Sequence, residues 1–347
     1  MAEQGVGVTK RARVGIVGLD HWYAGLGAAE ELSKNAGVEL VAIAHRHEKR
    51  GRDTAEKYGA EFTTDYLSVA SRNDLDVVVT ACYCSENPAM VAAAAKAGNH
   101  VASVKPIAMT VDGADAIRSA VKAAGVSFMS FESNYRVNPT FLDIKSWVDA
   151  GRIGKVITAA TVLRSMLPTQ EWPGERGRTW WLDSAKSPGG GWIDHSIYHI
   201  DFLRWLLNDE VATVSGDSGN VKHTDIAPLE DYGAANLAFR GGARATIEVT
   251  WTASPGSFVH RIELTGTEGH IIWDPSVTGK TLIGAKNDPA GWLHIASPPR
   301  PSGAANHVVE MAMTKHATAG TVEDARTNLN VCEQFYRAAK TGQRIAL

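Results

Sequence analysis

The amino-acid sequence predicts an α/β fold in two parts: a parallel sheet covered by helices, then an α+β unit on a largely antiparallel open sheet. Short apolar, β-branched-rich runs alternate with helical stretches up to residue 134, which is the signature of βαβ units. Beyond that point apolar and polar residues alternate, as in strands with one wet face. A length of 347 residues exceeds one compact domain, so the expected division is a tail at 1–12, a first domain at 13–134 and a second at 135–347.

The first five strands are expected at 13–18 (RVGIVG), 38–44, 75–81, 99–104 and 126–132. Helices at 21–35, 48–58, 88–98 and 110–124 separate them, and Gly98 stands where a helix C-cap wants glycine. A helix in NPTFLDIKSWVDAG then leads to a strand near 155–166 and an irregular stretch rich in Pro, Gly and Trp. After a helix at 194–207, AANLAFR, ARATIEVTW, FVHRIELTG and HIIWD read as antiparallel strands. Two helices, near 304–318 and 321–340, close the chain.

A net charge of −3 and 21% charged residues supply no concentrated basic surface, so neither nucleic acid nor an anionic membrane is an expected partner. No apolar run is long enough to span a bilayer, and MAEQGVGVTK carries no signal-peptide pattern. Three cysteines, Cys82, Cys84 and Cys332, suit a reducing cytoplasm better than a disulfide framework. Cys82-x-Cys84 offers two ligands, too few for a metal site, so no metal is expected.

In RVGIVGLDHWYAGLG a strand, Gly18 and a helix create a turn whose free N–H groups and helix dipole favour an anion. A full G-x-G-x-x-G would place glycine at 18, 20 and 23, whereas the chain has Gly18, Asp20 and Tyr23. Asp20 either caps the following helix, in competition with a pyrophosphate, or turns outward. Leu19, His21 and Trp22 complete the expected cofactor contacts in the turn. The second strand ends in AIAHRHEKR, with His45 where an NAD domain usually carries an acid. Arg46 next to it can receive a 2′-phosphate, which tips the expectation towards NADP while leaving NAD open.

SVKPIAMTVDGADAI, NYRVNPTFLDIKSWVDAGRIGKV and GGGWIDHSIYHIDFLRWLL together resemble the glucose–fructose oxidoreductase / inositol dehydrogenase (Gfo/Idh/MocA) family over nearly the whole chain. The resemblance implies a Rossmann domain, an open-sheet domain, and hydride transfer between NAD or NADP and a carbinol or carbonyl of a sugar, polyol or related cyclic compound. It implies an acid/base set at Lys105, Asp194 and Tyr198, with tyrosine where the family has histidine and Val104 where it has glutamate. It places the loop over the nicotinamide at Ala81-Cys82-Tyr83-Cys84, with Cys82, Tyr83 and Asn87 as cofactor contacts along with Lys105. It also implies a homodimer or homotetramer paired through the open sheets.

Hydride loss from a carbinol needs a base at the oxygen, and a lysine screened from water or beside another cation can titrate low enough to serve. Asp194 and Tyr198, four apart on a helix, share one face; His195 and His199 share a neighbouring one. His199 lies one residue from the family histidine and is a further catalytic candidate; packing is the plainer reading of both histidines. Arg136, Trp172, Trp181 and His195 join Lys105, Asp194 and Tyr198 as candidate substrate contacts, since tryptophan faces stack on sugar rings and arginine donates to hydroxyls. The tryptophans could equally pack the loop or a subunit contact. Two other functions stay open on this scaffold: redox-assisted elimination or glycoside cleavage with retained NAD, and non-catalytic sensing of a dinucleotide or sugar.

Overall fold

A computed structural model describes residues 11–276, 280–285, 293–295, 304–317 and 319–347. The first sheet comprises β1 (Ala12–Val17), β2 (Val38–Ala44), β3 (Glu61–Thr63), β4 (Val77–Thr80), β5 (His100–Ser103) and β6 (Phe128–Ser130), in the order β3-β2-β1-β4-β5-β6. All its pairings are parallel. Its strands are buried almost throughout because α1 (Trp22–Ser33), α2 (Glu48–Tyr58), α3 (Tyr66–Ala70), α4 (Asn87–Lys96) and α5 (Val111–Ala124) cover both faces. The sequence pattern does not disclose β3 or α3; at three and five residues they are too short to show a period. Strand order reverses between β1 and β4, which opens a crevice at their C-terminal ends.

Asn138 caps α6 (Pro139–Asp149) by accepting from the Thr140 N–H at 3.0 Å. Next come β7 (Val156–Arg164), the small hairpin β8 (Gln170–Trp172) and β9 (Glu175–Arg176), and α7 (Gly191–Leu207). The second sheet adds β10 (Val211–Gly219), β11 (Tyr232–Phe239), β12 (Arg244–Thr250), β13 (Val259–Gly266), β14 (Gly269–Asp274), β15 (Lys280–Ala285) and β16 (Leu293–Ile295). Its order is β16-β15-β14-β13-β7-β12-β11-β10-β17, where β17 is Ile345–Ala346. It is antiparallel except where β12 runs parallel to β7. Apolar residues of alternate register bury one face against α7 and α9 (Val322–Thr341).

The closing helices depart from the expected contiguous block at 135–347. Val308 and Met311 of α8 (Ala304–Thr314) pack into the first core with Val14, Ile16 and Ala28, and α9 lies against both α5 and β10. Apolar stripes on these helices say that they are buried, but not against which sheet. No described helix is long and apolar enough to cross a membrane.

Candidate active site between the two sheets

Lys105 follows β5, where a parallel strand delivers its next side chain to the crevice. The bend is fixed by the buried Asn87, whose Nδ2 donates to Ser103 Oγ at 2.9 Å and to the Ile107 carbonyl at 2.7 Å. Asn87, expected at the cofactor, is therefore spent on the backbone that aims Lys105. The ammonium is 2% exposed and donates to Asp194 Oδ1 at 2.7 Å and to the Asp194 carbonyl.

Asp194 sits in the first turn of α7. The glycines before it allow that helix to begin against β11: a Cβ on Gly190 would lie 2.1 Å from the Glu230 carbonyl oxygen. The buried Glu230 carboxylate accepts from the N–H groups of Gly190 and Trp192 at 3.0 Å each and from Tyr336 Oη at 2.8 Å. With the helix start anchored, Trp251 Nε1 donates to Asp194 Oδ2 at 3.0 Å. His195 Nδ1 lies 3.1 Å from the same oxygen, at ion-pair distance but outside hydrogen-bond geometry.

Burial works against both charges of the pair, and their attraction outweighs it. The Asp194 carboxyl is held below the ordinary carboxylate range against burial by His195 and Lys105. Lys105 is raised above the usual lysine value despite burial, chiefly by the Asp194 charge. Screening from water was expected to lower this lysine into the range of a base; paired with a carboxylate it stays an ammonium.

Aromatic rings wall the pair. Lys105 Nζ stands 4.6 Å from the Trp181 ring centroid and 5.0 Å from that of Tyr198, so both rings face a cation. Trp181 stacks on Trp180 at 4.3 Å, and His21 packs against both at 5.1 and 4.6 Å. Of the expected contacts, Lys105, Asp194, His195, Tyr198 and Trp181 therefore come together. His21, expected at the cofactor, joins them; its spacing from the others in sequence gives no sign of that.

Asp20 does not cap α1. Its carboxylate is turned away from the helix and accepts from Arg46 Nε at 2.9 Å, Arg46 Nη2 at 3.2 Å and Tyr66 Oη at 2.9 Å. Arg46 also bonds Glu86 and lies 4.0 Å over the Tyr83 ring. The free guanidinium expected to greet a phosphate is thus held by two carboxylates. His45, 3% exposed, is pushed down to about 3 by burial and by Arg46, and its Nδ1 accepts from the Leu19 N–H at 3.3 Å. Leu19 itself is core.

The turn fits a dinucleotide. Gly18 has φ +85°, and a Cβ there would lie 2.8 Å from the Cys82 nitrogen. The N–H groups of Asp20 and His21 go to the Ala81 carbonyl, while those of Trp22 and Tyr23 have no acceptor among the described residues. With Asp20 folded onto Arg46, no bare carboxylate opposes a pyrophosphate at that helix start. Over the groove lie Trp172, stacked 5.7 Å from the His45 ring, and Trp180, whose Nε1 donates to the Asp20 carbonyl at 2.9 Å.

Several expected site residues serve elsewhere. Arg136 is bound to Asp201 at 2.7 and 2.8 Å and to Asp324 at 3.1 Å, an ion-pair cluster joining α7 to α9 rather than a substrate contact. His199 is fully buried between Thr161 Oγ1 and His260 Nε2, each at 3.1 Å, and does not reach towards the family histidine position. Trp172 covers the end of β2 instead of the Lys105 pocket, and Trp22 Nε1 ties the turn to the Gln170 carbonyl at 2.9 Å. Cys82 is buried with its Sγ 3.8 Å from Asn87 Oδ1. The tryptophan-rich loop thus divides between pocket wall and packing.

Residues 12–131 match the oxidoreductase family, NAD-binding Rossmann fold, and residues 141–272 match the GFO/IDH/MocA C-terminal domain. The fold and the Lys–Asp pair accordingly define an enzyme of the oxidoreductase class with an NAD-binding unit. The chain belongs to the Gfo/Idh/MocA family. It is 29% identical over 266 residues to myo-inositol 2-dehydrogenase of Thermotoga maritima, which is 76% of this chain and 75% of that one. It is also 29% identical over 247 residues to scyllo-inositol 2-dehydrogenase (NAD(+)) of Bacillus subtilis, covering 68% and 66%. Levoglucosan dehydrogenase in complex with NADH and levoglucosan shares the fold, with a TM-score of 0.85 at 19% identity over 97% of this chain and 99% of that one.

Proposed function

We propose that this enzyme oxidises a secondary hydroxyl of a sugar or polyol, or reduces the corresponding ketone, with NAD as the redox partner. The observation that carries the reading is the buried Lys105–Asp194 pair at the crevice end of the parallel sheet, walled by Trp181 and Tyr198. When bound, the nicotinamide supplies the hydride acceptor or donor. The residues to hold its dinucleotide are Gly18, the Trp22 and Tyr23 N–H groups, and Tyr83.

The Lys105 ammonium, kept charged by Asp194, donates a hydrogen bond to the reacting oxygen and stabilises the alkoxide character that develops as the hydride leaves. In reduction the same ammonium polarises the carbonyl through that hydrogen bond. The Tyr198 phenol stays protonated, because burial raises it, and is a second donor to that oxygen. Trp181 offers a flat face to ring C–H groups. NAD is favoured over NADP because Arg46 is already neutralised by Asp20 and Glu86, which leaves the ribose end acidic.

Nicotinamide fluorescence with NADH and NADPH, followed by reduced-nicotinamide absorbance on myo-inositol, scyllo-inositol and levoglucosan, tests the reading. NADH binding with turnover of at least one polyol is the expected result. Absence of dinucleotide binding overturns it.

A further inference from the structure

The oxidation direction needs an acceptor for the hydroxyl proton, and Lys105, held as an ammonium, is not free to take it. We propose, resting on the dehydrogenase reading above, that His21 is the proton acceptor of this centre and that Tyr23 fixes its tautomer: the imidazole Nε2 takes the substrate hydroxyl proton, and the Tyr23 oxygen accepts from the Nδ1–H.

His21 is contributed by the nucleotide turn and is 1% exposed. Its Nδ1 lies 3.3 Å from Tyr23 Oη, while its Nε2 is buried with no hydrogen-bond partner among the described residues. A buried polar atom left without a partner costs stability, so a ligand-facing role explains its retention. Trp181 connects it to the pocket: its ring centroid is 5.1 Å from that of His21 and 4.6 Å from Lys105 Nζ. The charged groups acting on the imidazole are Lys105 and Asp194; those on Tyr23 are also Lys105 and Asp194, with the titratable but neutral Tyr198 and Cys84 beside them. Burial, reinforced by Lys105, holds His21 well below the usual histidine value, so it waits as the neutral acceptor. Burial raises the Tyr23 phenol, so its hydroxyl stays protonated and its oxygen is the acceptor that fixes the Nδ1–H tautomer.

The proton balance closes. The substrate O–H proton goes to Nε2 as the hydride is taken by the nicotinamide named above. The Tyr23 oxygen accepts from Nδ1–H throughout, and the imidazolium returns to neutral by giving the Nε2 proton to water that enters the pocket as product leaves, which restores the bare Nε2. Neutral His21 must therefore carry its proton on Nδ1, with Nε2 bare. The family histidine, absent at Tyr198, is replaced in function from the opposite wall of the crevice.

Long-range ¹H–¹⁵N NMR of the protein without added ligand reads that tautomer directly. An Nδ1–H imidazole unchanged from pH 5 to 8 is expected; an Nε2–H tautomer, or ordinary titration in that range, overturns the proposal. For turnover, NAD⁺ with myo-inositol is the probe. His21→Gln is expected to lower kcat about a hundredfold, with KM and NADH affinity within threefold. Tyr23→Phe should lower kcat about tenfold. Unchanged kcat in His21→Gln, or a loss confined to His195→Gln, overturns it. A wild-type protein that binds no NADH would instead overturn the dehydrogenase reading, while the NMR result still judges the imidazole.

Discussion

Lys105 and Asp194, 89 residues apart in sequence, meet at 2.7 Å with both side chains nearly shut off from water. Each is the reason the other stays charged. Removing only the lysine leaves a buried carboxylate with Trp251 and His195 as its remaining neighbours. Lys105→Met should therefore abolish turnover and also cost about 3 kcal/mol of stability. Lys105→Met/Asp194→Asn should recover most of that stability and none of the activity. Urea unfolding and steady-state assays separate the two effects; a single mutant as stable as wild type would show that the pair carries little strain from burial.

The same pair fixes a pH window. Asp194 is lowered, so its contribution is present above the unfolded carboxyl value of about 3.9 and is lost on acidification below it. Lys105 is raised, so its contribution is present below the unfolded value of about 10.4 and is lost as pH climbs beyond it. Between pH 5 and 9 the pair should add no pH dependence, and the difference in unfolding free energy between wild type and the double mutant should be flat there.

On the proposed reading, Asp20 and Arg46 are the residues that set the cofactor preference. Asp20→Gly restores the second glycine of the turn and at the same time frees the guanidinium of a bidentate carboxylate. The expected result is a shift of about tenfold in favour of NADPH in the ratio of NADH to NADPH dissociation constants. Fluorescence titration measures it. An unchanged ratio would mean that the Arg46 charge does not reach the 2′ position.

What the sequence discloses and what it hides follow one physical line. Buried parallel strands must be apolar throughout and half-wet strands must alternate, so the kind of each sheet and its longer strands are legible from local pattern, β3 and β10 apart, as is the Lys105-Pro106 step after β5. The partners of polar side chains are not. Nothing near Asp20 predicts that its carboxylate will choose Arg46 and Tyr66, 26 and 46 residues away, over the helix start beside it. Arg136 reads as a ligand donor until Asp201 and Asp324 take it, and His21 reads as part of a phosphate turn until the tryptophan loop carries it to Lys105.

Glu132 gives a second, opposite pH dependence. It is fully buried, Asn328 donates to its Oε1 at 2.6 Å, and its Oε2 has no partner among the described residues. Burial, with Asp201 adding to it, pushes the carboxyl up to about 8. Because the folded value lies above the unfolded one, stability is fully present below about pH 4.3 and declines as pH rises through the folded value. Glu132→Gln should flatten that decline and gain on the order of 2–3 kcal/mol over wild type at pH 7. Denaturation midpoints at pH 5 and 8 test it, and parallel pH slopes for the two proteins would contradict it.

Gly190 tests whether the backbone around Glu230 places the Asp194 carboxylate. A methyl group there would lie 2.1 Å from the Glu230 carbonyl oxygen and 2.8 Å from its nitrogen, and because these are backbone atoms no flexible side chain is there to yield. The helix start must move, and with it the Asp194 carboxylate four residues on. Gly190→Ala should cost about 3 kcal/mol and lower kcat more than KM. Gly27→Ala is the contrast: it lies in α1 with open space around its Cβ position, so it should gain about 0.5–1 kcal/mol and leave turnover alone. A Gly190→Ala protein that unfolds like wild type would show that α7 finds its place without the close approach to Glu230.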